Sequence, residues 1–256
     1  MTPRGIRRRD LLWVGGALAG LTACGTTAHT TAAPPVPRPT RTPTIPPSPP
    51  PTAAPALPAE VTNGPRTRPA VALTFHGQGT HAQVEALLQA LERGGAKGTV
   101  LAVGTWLSAQ PAMARRILDA GHDLGNHTQH HLALSTMAAG GVYREIDDCA
   151  AVLRRLTGGI GSWFRPSQTA HADAVIRAQA TRVGYRTCLS YDVDSLDYTD
   201  PGPAAIVATT LRQVRPGSIV SLHCGHPGTV AAMPALLDGL GSRGLRPVTV
   251  TELLAP

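Results

Sequence analysis

The chain has 256 residues, 42% of them hydrophobic, and a formal charge of +7 at pH 7, which bounds it to one sizeable domain with appendages. Four arginines and one aspartate fall within residues 1–23, so three of the seven charges belong to that segment and +4 remains for the rest. An excess this mild, with no basic patch interleaved with aromatics, gives no argument for nucleic-acid binding, and nothing in the chain implies a protein partner.

In chain order, Arg7, Arg8 and Arg9 precede a short apolar run from Leu11 to Leu21. The run is too short to span a bilayer comfortably and reads as the core of a signal peptide over residues 1–23. Leu21-Thr22-Ala23-Cys24 follows and resembles the lipobox of bacterial lipoproteins, in which the cysteine becomes a diacylglyceryl thioether. Two acyl chains bury enough methylene groups for durable attachment. The expectation is an exported protein held to the outer face of the cell membrane through Cys24. Arg8-Arg9-Asp10-Leu11-Leu12 is also similar to a twin-arginine export signal. Residues 25–69 are Pro, Thr and Ala with almost no large apolar side chain. Such a stretch cannot bury surface to offset its ordering entropy, so it reads as a disordered, extended tether. The folded domain is then residues 70–256.

Within it, short apolar runs alternate with amphipathic helices. Val71–Phe75 reads as a strand, and Val84, Leu87, Leu88 and Leu91 then recur at helical spacing up to Gly94-Gly95. Gly98–Val103 is the next strand, Met113–Ala120 a helix, and Asp123–Gly125 a short strand. Val142, Ile146, Cys149, Leu153 and Leu156 line one face of a further helix, which makes Cys149 a core residue. Strands are predicted at Ser162–Phe164, Thr187–Val193, Ser218–Leu222 and Arg246–Val250, and helices at Ala172–Val183, Ala204–Val214 and Val230–Leu240. This alternation predicts an α/β fold with a parallel sheet, closed or nearly closed into a barrel. In such folds chemistry sits at the C-terminal strand ends. Those positions hold His76, His127 and His131, Arg165, Asp192 to Asp197, and His223. Beyond Cys24 the cysteines are Cys149, Cys188 and Cys224. An odd number leaves at least one unpaired, and none has metal-type spacing.

The run Gly125-Asn126-His127-Thr128-Gln129-His130-His131 puts two imidazoles four residues apart, a donor set suited to Zn²⁺ or a similar divalent ion. His130, between them, is expected to point away. Together with Phe164-Arg165-Pro166, Asp192-Val193-Asp194-Ser195-Leu196-Asp197-Tyr198 and Ile219-Val220-Ser221-Leu222-His223, this run resembles the motifs of the polysaccharide deacetylase family, the NodB homology domain. The resemblance runs from about Val71 to Leu254. It implies a distorted (β/α) barrel, a divalent metal held by His127 and His131, and removal of acetyl groups from an acetylated polysaccharide. It implies further that Asp197 orients His223, that His223 protonates the leaving amine, and that Arg165 holds the catalytic base. Tyr198, Pro166 and Gln168 are implied to contact substrate, with backbone amides near Ser167-Gln168 holding the oxyanion. Ser167-Gln168 stands where Pro-Tyr is usual, Tyr198 where tryptophan is usual, and Cys224 where aspartate is frequent.

The first family motif, Thr-Phe-Asp-Asp-Gly, is altered. Here the run is Thr74-Phe75-His76-Gly77-Gln78-Gly79, so His76 stands at the base position and Gly77 at that of a third metal ligand. Three readings follow. His76 completes a three-imidazole metal set with His127 and His131, or His76 serves as the base, or the domain is a non-catalytic glycan-binding or structural envelope protein.

Overall fold

The computed structural model describes residues 57–256. The segment read as a signal peptide, Cys24 and most of the stretch read as a tether lie outside the described residues. In chain order the elements are β1 (Glu60–Val61), β2 (Ala70–Gly77), α1 (His81–Arg93), β3 (Thr99–Ala102), α2 (Gly104–Ala109), α3 (Ala112–Asp119) and β4 (Asp123–Asn126). There follow α4 (Ala139–Thr157), α5 (Ala174–Val183), β5 (Cys188–Leu189), β6 (Val193–Asp194), α6 (Pro203–Gln213), β7 (Ile219–His223), α7 (Pro227–Gly241), β8 (Arg246–Val248) and α8 (Val250–Leu254).

Every strand pairing is parallel, in the order β4-β3-β2-β7-β6, with β8 beside the first residues of β2. The ring is closed by one stretch of chain. Phe164 bridges Asn126 at the end of β4 on one side and Cys188 of β5 on the other, and a few residues later β6 pairs with β7. The predicted strand Ser162–Phe164 is thus reduced to one bridging residue, and Thr187–Val193 is split into β5 and β6. Both differences mark a distorted barrel, in which each strand pairs only where twist brings it within hydrogen-bonding distance.

Side-chain alternation along β2 explains the layers. Val71, Leu73 and Phe75 face outward into a core shared with Val84, Leu87, Leu88 and Leu91 of α1 and Met233 and Leu236 of α7. Ala72 faces inward to a small plug containing Leu101, Leu189, Ile219 and Val248, and Thr74 and His76 continue that inward row. Helix α1 starts where Thr80 and Gln83 form a reciprocal capping box, and α4 ends at Gly158 in the left-handed region at φ 84°.

The N-terminal boundary differs from the one predicted at residue 70. Glu60–Val61 pairs with Cys188–Leu189, Asn63 bridges Ser218, and Arg66 reaches the Asp192 carboxylate at 2.7 Å. Residues 60–69 therefore belong to the domain. Composition concealed this because the segment contributes mainly backbone hydrogen bonds and the contacts of Glu60 with His171 and Arg66 with Asp192, with Val61 its one large apolar side chain in the core.

Candidate active site and metal centre

The C-terminal ends of β2, β4, β6 and β7 meet on one side of the barrel. Register puts His76 opposite His223 and Thr74 opposite Ser221, and Asp194 opposite Ser221. The His76 ring lies 4.3 Å from that of His127 and 4.2 Å from that of His223, centroid to centroid, and His127 and His131 are 4.9 Å apart. One ring nitrogen from each of His76, His127 and His131 can be chosen so that all lie within 4.8 Å of one another.

The convergence of His127 and His131 is made by a loop rather than by helical spacing. Thr128 and His131 both take left-handed backbone conformations, at φ 70° and 59°, costly for a β-branched residue and sustained only by its surroundings. Asn126 supplies much of that support. Its Oδ1 accepts from the Thr128 N–H at 2.8 Å, and its Nδ2 donates to the Ile146 carbonyl and the Tyr185 hydroxyl. Thr128 Oγ1 accepts from the His131 N–H and donates to Ser167 Oγ. As expected, His130 turns outward, where its Nδ1 is 2.7 Å from Glu145.

His127 is fully buried. Its Nδ1 is 3.0 Å from the Arg165 carbonyl, which can only accept, so Nδ1 carries the proton and Nε2 presents a lone pair. That Nε2 is buried without any hydrogen-bond partner. An orphaned, correctly tautomerised imidazole nitrogen beside two further imidazoles is the donor arrangement a divalent cation requires. Burial, then the neighbouring His127, His223 and Arg165, holds His76 well below the usual histidine range. Burial first and His131 second do the same to His127, and burial and His223 lower His131. All three are thereby kept neutral, the form that ligates metal. The residues fit the metal.

His223 faces the cluster from β7. Its Nδ1 lies 2.7 Å from Asp197 Oδ1, while Asp197 Oδ2 accepts from the His223 backbone N–H at 2.7 Å and from Thr229 Oγ1. Asp197 is fully buried. Burial alone pushes its carboxyl up, but the hydrogen bonds from His223 and Thr229 outweigh this and hold it below the usual range.

Other expected contacts fall differently. Arg165 does not line the groove. Its side chain is fully buried, donating to Leu189 O, to Thr74 Oγ1 at 2.9 Å and to Ser190 O at 2.9 Å. With no carboxylate at residue 76, Arg165 is hydrogen-bonded to neutral oxygens, and burial pulls its guanidinium down to about 9. Pro166 is buried as well. Gln168, at φ 54°, donates from Nε2 to the His131 carbonyl at 2.7 Å and borders the cavity. Tyr198 is 48% exposed, its ring 5.5 Å from that of His223.

Gly77 cannot hold a ligand in this backbone. A Cβ there would lie 2.8 Å from Val100 Cγ1 and 3.0 Å from the Ala102 Cα, so a side chain would meet β3 and not the site. The cavity above the imidazoles is about 410 Å³ and is lined by His76, His131, Tyr191, Asp194, Tyr198 and His223 among others. Asp194 and Tyr191 had no assigned role in the sequence reading. Asp194 was legible within its motif, but its inward direction depends on β-register. Cys149, Cys188 and Cys224 are buried free thiols. Burial pushes Cys149 and Cys188 up to about 12 and Cys224 higher still, so none is a nucleophile at the site.

Comparison with known proteins agrees with this geometry. The Polysaccharide deacetylase family matches residues 63–188. The peptidoglycan-N-acetylglucosamine deacetylase of Bacillus cereus is 30% identical over 200 residues, which cover 74% of this chain and 90% of that protein. The Bacillus subtilis protein YlxY is 25% identical, over 77% of this chain, and only 61% of its length is spanned. Among solved structures, a family 4 carbohydrate esterase from Streptomyces lividans superposes with TM-score 0.65 at 27% identity, over 73% of this chain and 93% of that one. A pseudoenzyme of the same esterase family from Bacillus anthracis superposes with TM-score 0.72 at 24% identity, over 78% and 70% of the two chains. Family match, relative and site together establish that this chain belongs to the polysaccharide deacetylase family.

Proposed function

We propose that the protein removes acetyl groups from an acetylated cell-envelope polysaccharide, peptidoglycan or a related glycan, using a divalent metal, with Zn²⁺ the ion of choice. One observation carries the reading: three neutral imidazoles, one from the end of β2 and two from the loop after β4, converge beside a His–Asp pair on a cavity open to solvent. Relatives named as deacetylases of peptidoglycan N-acetylglucosamine and of chitooligosaccharides support the substrate class. His76, His127 and His131 would hold the ion, which when bound polarises the acetyl carbonyl and acidifies water.

The chain's own groups do the rest. His223, with Nδ1 committed to Asp197, offers Nε2 to the departing nitrogen as general acid. Tyr198 presents a ring on which a sugar face can stack. Gln168 steadies the His131 loop beside the substrate. The apolar run before Cys24 and Cys24 itself support a further part of the proposal, that the domain works as a lipoprotein on the outer face of the cell membrane, tethered by the Pro/Thr-rich stretch.

A second reading is a glycan-binding envelope protein without hydrolysis. It is favoured by His76-Gly77 in place of two carboxylates and by the structural likeness to the Bacillus anthracis pseudoenzyme. Full-length protein in detergent, dialysed and assayed for metal and for acetate release from N-acetylglucosamine oligomers, decides between them. Stoichiometric zinc that is lost in His76→Ala, together with acetate release, supports the enzyme. No retained metal and no acetate leaves the binder.

A further inference from the structure

We infer that Asp194 is the general base of this site, a carboxylate supplied from β6 in place of the one missing at the end of β2. The inference rests on the deacetylase reading above. Attack on an amide carbonyl needs a group to take a proton from water as the new bond forms, and the altered first motif removes the carboxylate that usually stands there. Two acids come from the Asp192–Tyr198 segment close to the site, and the structure separates their roles. Asp197 is fully buried, with one oxygen held by the His223 ring and the other by the His223 N–H and Thr229. It has no oxygen free to meet water.

Asp194 is half-buried and lines the same cavity as His76, His131 and His223. Its Oδ1 accepts from the Leu196 N–H at 3.0 Å, a local turn that fixes the carboxylate plane while Oδ2 stays available. Its register partner is Ser221, whose hydroxyl is 3.4 Å from His76 Nε2. Asp194 is therefore next to a residue that touches the imidazole cluster, on the inward face of the neighbouring strand. The buried Arg165 guanidinium hydrogen-bonds to neutral oxygens, and the carboxylate whose charge favours its own is Asp194. Arg165 thus retains an electrostatic link to a carboxylate, here on β6.

In the proposed step the water oxygen bonds to the acetyl carbon, one water proton passes to Asp194, and the carbonyl π pair moves onto oxygen. When that pair returns, the C–N bond breaks and the nitrogen takes a proton from His223 Nε2. The products are acetic acid, which ionises in water, and the free amine. Asp194 then releases its proton to solvent and His223 takes one up, so both groups are restored.

The test uses the full-length chain loaded with zinc and an N-acetylglucosamine tetrasaccharide. Asp194→Asn is expected to keep the zinc content and melting temperature of the parent and a KM within about threefold of it, while kcat falls on the order of 100-fold. In Asp194→Ala, added formate is expected to restore part of the lost rate, which a merely structural residue would not allow. Activity of Asp194→Asn within about threefold of the parent overturns the assignment, and so does loss of zinc in parallel with rate. An unmodified protein that releases no acetate overturns the underlying deacetylase reading and this base together.

Discussion

At the scale of single residues, Asp197 and His122 show how burial fixes what a group can do. Asp197 accepts from the His223 ring, the His223 backbone and Thr229, so Asp197→Asn disturbs three donors at once. The amide can satisfy part of that set but misorients the imidazole, and kcat is expected to fall on the order of 100-fold or more. Unfolding free energy should drop by about 1–3 kcal/mol, measured by urea titration, because buried donors lose their acceptor. His122 is 4% exposed and lies away from the catalytic face. Its Nδ1 accepts from the Gly98 N–H at 3.0 Å, and burial, aided by Lys97, holds it down at about 4. A folded-state value below the unfolded one means the unfolded chain takes up the proton first. Stability is then fully present above about pH 6.5 and is lost as pH falls from there towards 4, by up to about 3 kcal/mol. Denaturation midpoints at pH 7.5 and 4.5 check this, and His122→Gln should flatten the slope. The four histidines of the site and Asp197 were legible in the sequence because strand ends gather chemistry. Arg165's burial was not, since nothing local says that a guanidinium at a strand end turns inward beneath the site. Asn126 and Thr229 were also hidden, because their partners lie 20 and 32 residues away.

Among elements, β2 carries the largest consequences. Its central place, flanked by β3, β7 and β8, makes it intolerant of bulk at Gly77. Restoring the family's second carboxylate by Gly77→Asp is therefore expected to cost about 1–3 kcal/mol through overpacking against Val100 and Ala102, and to leave zinc content no higher than in the parent. Thermal melting and metal analysis test both halves. Helix α1 offers a milder contrast. Thr80→Ala removes its capping box and should lower stability by about 1 kcal/mol without touching metal binding. The helices were read nearly in full because 3.6-residue periodicity is a local signal. Helices α2 and α8 escaped because so few residues give no period, and Val250, read as the end of a strand, instead opens α8. The short strands around Phe164 and Cys188 were blurred because their limits depend on partners rather than on their own residues.

On the scale of the whole molecule, the segment from Glu60 to Pro69 is a structural part of the barrel although its composition is as poor in large apolar residues as the stretch before it. Removing residues 1–69 should lower the melting temperature relative to removal of residues 1–56, since the shorter form loses the β1–β5 pairing and the Arg66–Asp192 ion pair. Circular dichroism melts of the two truncations measure the difference. The closure at Phe164 has a further consequence. On each side of that residue the ring is held by the bridges of one amino acid, backed by the Phe164 ring packed with Tyr185 and the α4 and α5 side chains. A closed barrel leaves no long unpaired edge for another chain to join, yet a hoop gives way first at its narrowest weld. Backbone amides at Asn126, Arg165 and Leu189, which span that weld, should exchange with deuterium sooner than those of β2 and β7, and stray pairing between unfolding molecules should begin there.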